Sequence, residues 1–236
     1  MTSIKELEYS CPEGLPLHLD LYLPDNLKRP APAVLWAVGG GWGHCKREFV
    51  PLVLVQQGFI MASLTYRVSG QAPAPANVED CQAAIHWLRA NADRYGIDSQ
   101  RIGAWGSSAG GHLVAMLATM PGLLQAACVF CAPTDLTQRP HEIVEAYLGG
   151  SLHERRELAH SVSPRRHVTK HCPPVLIIHG EKDGAVPVTE SIAFHDALQR
   201  AGADSALHVL PEVGHGWDAK LSDDLVVQFF KEKLRL

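Results

Sequence analysis

The sequence predicts an α/β protein with a mostly parallel central sheet and helices on both of its faces. Apolar runs of strand length recur along the whole chain, and segments with helical periodicity fill the gaps between the later runs. Parallel neighbours need a crossover connection, which a helix supplies, so this alternation favours a sheet that is covered on both sides. The first two runs differ, because only a short link containing Pro and Gly separates them.

These first two runs, Ile4–Tyr9 and Leu17–Tyr22, are predicted to begin the sheet as an antiparallel pair. The later runs are short and apolar, and helical patterns follow them, as is typical of buried strands in a parallel sheet. Such strands are predicted at Ala33–Val38, Phe59–Leu64, Arg101–Trp105, Ala126–Cys131, Val175–His179 and Ala206–Leu210.

The clearest helical pattern covers Asn77–Ala92, where apolar residues recur at helical spacing and the pattern stops before Gly96. The stretch Ile102–Thr134 contains no Asp, Glu, Lys or Arg, but its Gly, Ser and Pro residues divide it into pieces too short to span a membrane. It is therefore predicted to form the core. Further helices are predicted near Arg47–Gln57, Ala109–Thr119, Val188–Ala201 and Leu221–Leu234.

The charge balance argues against polyanionic partners. Lys and Arg number 21 and Asp and Glu number 25, a net charge of -4, so no basic excess is available for nucleic acid or for an anionic membrane surface. The N-terminus carries Glu6 and Glu8 and lacks an apolar run, which argues against a signal peptide or membrane anchor. We expect a cytoplasmic protein with no nucleic-acid or membrane partner.

The length of 236 residues suits a single domain over residues 1–236, since one hydrophobic core can support a chain of this size. No internal repeat and no linker between domains is visible. The segment from Gln138 to Lys170, between two predicted strands, is rich in charge and histidine and is predicted to be a short insertion near the active site. A solvated helical connection is the alternative interpretation.

The six cysteines are scattered along a chain without a secretory signal, so reduced thiols are expected. Cys128 and Cys131 form a C-x-x-C pattern, but it lies in an apolar strand-like run and has no second pair at zinc spacing. Buried packing is therefore predicted for both, and no metal site is predicted.

A candidate nucleophile lies where a predicted strand meets a predicted helix. Gly106-x-Ser108-x-Gly110 has the strand-turn-helix context of a nucleophile elbow, in which flanking glycines allow a sharp reversal of the chain. Ser107 is the rival, but a motif centred on it would need glycines at positions 105 and 109, which hold Trp and Ala. The pattern predicts Ser108 as the nucleophile.

A serine nucleophile needs a base, and the base needs an acid that orients it and stabilises its charged form. The acid is expected after the serine in the chain and before the histidine. Asp183 lies in a loop that follows a predicted strand, where parallel sheets place functional groups. Glu181 and Asp196 are the nearby competitors, but Glu181 is close to the strand end and Asp196 lies inside a predicted helix.

His215 is the predicted base, because it lies between two glycines in the loop after the last predicted strand. His112 is the alternative, four residues after the candidate nucleophile. On a helix that spacing points the ring along the helix surface, so a structural, partly buried role is predicted for His112. His179 is also predicted to be structural.

Three consecutive glycines, Gly39 to Gly41, follow another predicted strand. Glycines let the bare backbone approach a substrate and direct N–H groups at a developing oxyanion. The backbone N–H of Ala109, directly after the candidate nucleophile, is the expected second donor. A tight loop without this function is the alternative interpretation of the glycines.

Together these motifs resemble the α/β-hydrolase superfamily, and within it the small esterase/lipase-like carbohydrate-esterase group that includes acetyl xylan and feruloyl esterase-like proteins, related to the hormone-sensitive-lipase-type carboxylesterases. The resemblance rests on VGGGW, TYRVSGQAPAPANVEDCQAAIHWLRANADRYGIDSQRIGAWGSSAGGH, IIHGEKDGAVPV and GHGW. It implies an α/β-hydrolase fold with little or no cap. It also implies that Gly40 and Gly41 are oxyanion donors and that Trp42 lines the substrate pocket. Val38 stands where the family usually has a histidine that braces the loop.

The resemblance implies a serine esterase that hydrolyses short-chain carboxylic esters through a Ser-His-Asp triad and an acyl-enzyme, without a cofactor. Carbohydrate esters are among the candidate substrates, and a small-molecule ester is the expected partner. An amidase or peptidase of the same fold and a non-catalytic binding protein of this fold are the alternatives.

Overall fold

The computed structural model describes residues 1–25, 27, 30–138 and 141–235. Eight strands form one sheet, and each predicted run corresponds to one of them. The strands are β1 Thr2–Ser10, β2 Leu17–Leu23, β3 Ala31–Ala37, β4 Ile60–Leu64, β5 Ile97–Ser107, β6 Ala126–Phe130, β7 Val175–Gly180 and β8 Ser205–Leu210.

The strands lie in the order β1-β2-β4-β3-β5-β6-β7-β8. β1 is antiparallel to β2, and β2 is antiparallel to β4. All the later neighbouring pairs are parallel. The predicted antiparallel beginning and the mostly parallel sheet are therefore confirmed. The carboxyl ends of β3, β5, β6, β7 and β8 lie along one edge, where open α/β sheets place their ligand sites.

Helical segments connect these strands in the described part of the chain. The α-helices are α1 Val53–Gln56, α2 Ala76–Ala90, α3 Ala92–Tyr95, α4 Ala109–Ala118, α5 Glu142–Leu148, α6 Arg156–Ser161, α7 Val188–Ala201 and α8 Asp223–Lys233. Single turns of 3-10 helix form at Pro12–Gly14, Leu136–Gln138, Pro164–His167 and Ala219–Leu221.

The prediction of a helix over Arg47–Gln57 is wrong in its first half, because only α1 forms there. Pro51 explains the difference, since proline disfavours helical backbone at the residue before it and blocks the hydrogen bond of a helix interior. The predicted helix at Asn77–Ala92 corresponds to α2 followed by the short α3, which ends at Gly96 with a left-handed φ of 71°.

Both faces of the sheet are buried, as the alternation of strands and helices predicted. On β3 the side chains of Ala33, Leu35 and Ala37 join one apolar cluster, whereas Val34 and Trp36 join another on the opposite face. Helices α2, α4 and α7 contribute to the first cluster, and α1 and α8 contribute to the second. The sheet is therefore the middle layer of three.

The uncharged stretch Ile102–Thr134 forms most of β5, all of α4 and β6, and lies in the core as predicted. Every residue of α4 is buried. Among the described helices, none has the length and apolar character needed to cross a membrane.

The predicted insertion from residue 138 to residue 170 includes positions 139 and 140, which lie outside the described residues. The described part of the insertion contains α5, α6 and the turn at Pro164–His167. These elements are short, and the described residues contain no large cap over the sheet.

Candidate active site

Ser108 lies at a sharp reversal between β5 and α4. Its backbone has φ 53° and ψ -122°, a conformation that side-chain-bearing residues rarely adopt. A Cβ atom on Gly106 would lie 2.4 Å from the carbonyl oxygen of Gly110, and one on Gly110 would lie 2.0 Å from the carbonyl oxygen of Ala37. Both glycines are therefore sterically required, and the turn has the geometry of a nucleophile elbow.

Asp183 lies in the loop between β7 and α7. Its Oδ1 accepts the N–H groups of Ala185 at 2.8 Å and Val186 at 2.9 Å, and its side chain is fully shielded from solvent. Burial acts to raise the pKa of Asp183, but hydrogen bonds from Val186, His215 and Ala185 outweigh it and hold the pKa below its ordinary value. The carboxylate is therefore ionised, with Oδ2 turned toward His215.

His215 reaches this carboxylate from the loop after β8. Its Nδ1 lies 2.7 Å from Asp183 Oδ2, and its Nε2 lies 2.9 Å from Ser108 Oγ. The loop passes close to the end of β7 because Gly180 has no side chain, and a Cβ there would lie 2.3 Å from the carbonyl oxygen of Gly214. About a third of the His215 side chain, 35%, stays exposed. His215 therefore contacts both Asp183 and Ser108 and remains accessible.

The three predicted residues thus form one continuous chain of hydrogen bonds. The other carboxylates lie elsewhere: the exposed competitor Glu181 accepts the N–H of Glu212, and Asp218, three residues after His215 in the chain, accepts the N–H of Lys220. Asp196 is exposed on α7, as its predicted helical position implied. None of these competing carboxylates contacts His215 within the described ranges.

His112 lies on α4 and is completely buried, more than the partial burial predicted for it. Its Nε2 lies 2.7 Å from the carbonyl oxygen of Val162, and the Trp42 Nε1–H donates to its Nδ1 at 3.3 Å. Burial lowers the pKa of His112 to about 4, so the ring is neutral at pH 7. With both ring nitrogens occupied away from Ser108, His112 is a structural residue.

The glycine loop after β3 borders the same site. The carbonyl oxygen of Gly40 accepts the N–H groups of Gly43 and His44, both at 3.1 Å, which closes the loop into a turn. Within the described residues no hydrogen bond is donated by the N–H of Gly40 or Gly41. Ala109 is the first residue of α4, where backbone N–H groups have no partner within the helix. All three predicted oxyanion donors therefore line the cavity with N–H groups that no helix or turn uses.

Val38 replaces the bracing histidine that the resemblance led us to expect. The loop has another anchor at this position, because the Tyr66 hydroxyl donates to the carbonyl oxygen of Val38 at 2.9 Å. Tyr66 is almost completely buried, so solvent does not compete for this hydrogen bond. A backbone contact therefore braces the start of the loop.

Trp42 was predicted to line the substrate pocket, and it has a second set of contacts in the core. Trp42 borders the cavity, but only 3% of its surface is exposed, and its ring stacks on Tyr147 with centroids 4.4 Å apart. The ring also meets His112 edge to face. Trp42 follows the glycine loop directly and has a left-handed φ of 56°. Its indole therefore both borders the cavity and belongs to the apolar core.

A cavity of about 630 Å³ opens beside Ser108 and His215. Its wall combines the glycine loop, the elbow and apolar side chains from three other loops. Helix α5 and the residue before it contribute part of this wall, so the predicted insertion reaches the site. The other lining residues include Pro133, His141, Ile143, Val144, Ala185 and Val186.

Cys131 is among the residues of this wall that sequence reasoning missed. It follows β6 with a left-handed φ of 38°, lines the cavity, and its thiol donates to the carbonyl oxygen of His215 at 3.6 Å. Burial raises the pKa of Cys131 to about 12, so the thiol is neutral. Its position at the carboxyl end of the strand next to β5 is the signal that could have located it. Cys128 is fully buried packing, as predicted.

Judged only by the distances between potential ligand atoms, this site could also hold a metal ion. Ligand atoms of Cys131, Asp183 and His215 lie within 4.8 Å of one another. Asp183 and His215 are, however, joined by a direct hydrogen bond of 2.7 Å. The arrangement is that of an acid–base pair, and the absence of a metal remains a prediction.

Comparison with known proteins identifies the family. Residues 19–198 match the model of the BD-FAE family. The chain belongs to the BD-FAE family. This BD-FAE protein is 33% identical over 234 residues to esterase LipQ of Mycobacterium tuberculosis, an alignment that covers 88% of this chain and 56% of that protein. It is 29% identical over 227 residues to esterase LipC of the same organism, covering 82% and 55%. This BD-FAE protein therefore spans about half the length of the curated relatives it matches.

Solved structures match this BD-FAE protein over nearly its whole length. A truncated carbohydrate esterase from gut microbiota superimposes with a TM-score of 0.90 at 26% identity, covering 100% of this chain and 97% of that one. Thermogutta terrifontis esterase 2 superimposes with a TM-score of 0.85 at 26% identity, covering 98% and 94%. The predicted α/β-hydrolase fold and the predicted family relationship are thereby confirmed.

Proposed function

We propose that this chain is a serine ester hydrolase that acts on short carboxylic esters. The observation that carries the proposal is the hydrogen-bond chain from Ser108 Oγ through the His215 ring to Asp183 Oδ2, with distances of 2.9 and 2.7 Å. A serine hydroxyl in contact with a histidine, which a carboxylate orients in turn, is the general arrangement of an activated nucleophile. The names of the relatives, which are esterases, support the same reaction class.

The reaction begins with a proton transfer. His215 Nε2 accepts the proton of the Ser108 hydroxyl while Oγ forms a bond to the carbonyl carbon of the ester. The carbonyl π electrons move to oxygen, and the N–H groups of Gly40, Gly41 and Ala109 are in position to stabilise that oxyanion. Asp183 stabilises the resulting imidazolium through Nδ1.

The tetrahedral intermediate then collapses. The bond from carbon to the alcohol oxygen breaks, and His215 returns its proton to the departing alcohol, which leaves an acyl group on Ser108. Water repeats the cycle: His215 takes a proton from water, the hydroxide attacks the acyl carbon, and the released Ser108 oxygen recovers the proton. The net products are a carboxylic acid and an alcohol. No step requires a cofactor.

The cavity supports a small acyl group. Its volume of about 630 Å³ must hold both the acyl and the alcohol portions of the ester, and the described part of the insertion adds only short helices. Thermogutta terrifontis esterase 2, which this chain resembles at 26% and 25% identity, has been solved with propionate and with butyrate bound. Likeness to a gut carbohydrate esterase makes acylated sugars the first natural esters to test.

The proposal is tested with a fluorophosphonate probe and a panel of aryl esters from acetyl to decanoyl, with acetylated xylan alongside. We expect covalent labelling of Ser108, fastest hydrolysis at acetyl to butyryl, and no labelling of Ser108→Ala. Ser107→Ala is the matched control, because its hydroxyl also borders the cavity but lies outside the hydrogen-bond chain. An unlabelled, inactive wild type would support a binding protein, and an optimum at octanoyl or longer would overturn the short-acyl assignment.

A further inference from the structure

A second histidine stands directly behind the proposed acid. His179, near the end of β7, is completely buried. Its Nε2 lies 3.1 Å from Asp183 Oδ2 and 2.9 Å from the carbonyl oxygen of Val186. On the other side of the ring, Nδ1 lies 2.6 Å from the hydroxyl oxygen of Ser191 on α7. The prediction of a structural role for His179 therefore leaves out a contact with the site.

The neighbours of the ring determine which nitrogen carries the proton. A peptide carbonyl and an ionised carboxylate only accept hydrogen bonds, so Nε2 of His179 must carry the hydrogen. The Val186 carbonyl accepts it at 2.9 Å, and Asp183 Oδ2, at 3.1 Å, is the second acceptor within reach. Burial lowers the pKa of His179, which keeps the ring neutral and leaves Nδ1 without a proton. The Ser191 hydroxyl then donates to Nδ1, and this contact maintains the Nε2–H tautomer.

The contact completes the hydrogen bonding of the acid. Oδ1 of Asp183 accepts two N–H groups of its own loop, and Oδ2 accepts from His215 and lies 3.1 Å from Nε2 of His179. Each carboxylate oxygen therefore has two N–H groups beside it. Without His179, Oδ2 would keep the His215 contact alone, and only the two Oδ1 hydrogen bonds would oppose rotation about the terminal bond, which is a soft torsion.

We propose that His179 is a positioning residue for the proposed ester hydrolysis: its Nε2–H holds Asp183 Oδ2 and shares that oxygen with His215. This inference rests on the proposed function. It assigns two effects to one hydrogen bond. Together with the two hydrogen bonds to Oδ1, it holds the plane of the carboxylate that orients His215, and it takes up part of the negative charge that would otherwise act on His215 alone.

Few ionisable groups surround Asp183 in the described part of the chain. His215 faces it from the last loop, His179 from β7, and the neutral thiol of Cys131 from the end of β6. Lys182 and Glu212, close by at the surface, pair with each other.

On α7, the carboxylate next to Ser191 belongs to Glu190, which accepts the N–H and hydroxyl of Thr134. No other charged side chain contacts Asp183 or His179 among the residues described. Loss of the His179 donor therefore acts on the acid and the base without a nearby charge to compensate for it.

The charge on Asp183 determines the direction in which loss of the His179 contact should move the pH profile. Without the His179 donor, the charge on Asp183 Oδ2 interacts more strongly with His215, which stabilises the imidazolium form of His215. Only neutral His215 can accept the Ser108 proton, so the acidic limb of the profile of kcat/KM against pH moves to higher pH. A residue that merely fills space would lower the rate or the melting temperature and leave this limb in place.

The test compares His179→Leu, which removes the donor, with His179→Gln, whose side-chain N–H groups can replace it. The matched control is His195→Leu: its Nδ1 also contacts a serine hydroxyl, Ser205 Oγ at 2.8 Å, but it makes no contact with Asp183 among the described residues. For His179→Leu we expect a fall in kcat/KM of about tenfold or more and a shifted acidic limb, since a hydrogen bond to a charged group is lost. His179→Gln restores the wild-type limb, and His195→Leu retains it.

A folded His179→Leu variant with an unshifted acidic limb overturns the proposal. A second measurement needs neither a variant nor activity: ¹⁵N NMR of the wild-type histidines between pH 6 and 8 reads the tautomer directly. We expect His179 with Nε2 protonated and Nδ1 bare. An Nδ1–H tautomer overturns the positioning role even if hydrolysis is established, whereas an inactive wild type with the expected tautomer refutes only the proposed function.

Discussion

Two loops at the carboxyl edge of the sheet are supported in contrasting ways. The acid loop after β7 and the glycine loop after β3 each have a completely buried, neutral histidine behind them, His179 and His112. His179 contacts the carboxylate of Asp183 itself. His112 contacts the indole of Trp42, the residue after the glycine loop, and makes no hydrogen bond to that loop among the described residues.

The difference follows from what each loop presents to the cavity. A buried carboxylate is stable only when donors surround it, so the acid loop directs hydrogen bonds at its functional group. In the proposed mechanism the oxyanion donors must stay unoccupied until a substrate arrives, and the glycine loop is followed by an indole held by ring packing, with no side-chain hydrogen bonds directed at its N–H groups among the described residues. Changes at the acid loop should therefore alter rate, and changes beneath the glycine loop should alter stability.

The largest expected effect comes from replacing any one of the three residues in the hydrogen-bond chain. Ser108→Ala, Asp183→Asn and His215→Ala should each lower kcat by about 10⁴-fold or more, because the three groups act as a unit. Steady-state kinetics with a short aryl ester measures the loss, and circular dichroism should show an intact fold. If Asp183→Asn kept near-full activity, Glu181 or Asp218 would have to be the acid.

Trp42→Ala tests the support of the glycine loop. Removal of a buried, stacked indole should lower the free energy of unfolding by roughly 3 to 5 kcal/mol, with little change in preference among acyl groups. Urea denaturation and the ester panel measure the two quantities. Trp42→Phe is the control, because it keeps a ring against Tyr147. Unchanged stability with a shift toward longer acyl chains would instead make Trp42 a pocket wall.

His112 should make stability depend on pH. Because burial lowers its pKa in the folded state to about 4, the unfolded chain binds more protons between about pH 4 and 6.5. This contribution is fully present above about pH 6.5 and is lost as pH falls toward 4. Between pH 7.5 and 5 it amounts to about 2 kcal/mol.

Chemical denaturation at these two pH values measures the His112 contribution. His112→Gln should be less stable than the wild type at pH 7.5, because it disturbs the contacts with Trp42 and Val162, but its stability should change less with pH. An equally steep pH dependence in the variant would show that His112 already ionises within the fold.

The smallest expected effect concerns the rim of the cavity. Ile143 on α5 is 48% exposed, lines the cavity and packs over Gly41. Ile143→Ala should shift the preferred acyl chain by one or two methylenes, since each buried methylene is worth up to about 0.8 kcal/mol, or about fourfold in kcat/KM. Ile192→Ala, an exposed isoleucine on α7 outside the cavity wall, should leave the preference unchanged. Identical profiles for both variants would remove Ile143 from the acyl site.

Much of the architecture could be predicted because it depends on local patterns. Buried strands need apolar runs, and a reversal as sharp as that at Ser108 needs small residues at fixed positions. Both features can therefore be recognised from neighbouring residues in the sequence. The boundary error at Arg47–Gln57 arose from a local signal too, because the helix-breaking effect of Pro51 received too little weight. Asp183 and His215 could be selected because each lies in a loop directly after a strand.

By itself, the sequence determined the α/β class, the strand positions, the glycine loop and the candidates Ser108, Asp183 and His215. Only the tertiary structure decided that Trp42 packs on Tyr147 and His112, that Cys131 borders the cavity and that His179 contacts Asp183. These facts depend on side-chain directions and on distances between segments far apart in the chain. Such distances follow from how the helices and strands pack together, and no spacing along the sequence records them.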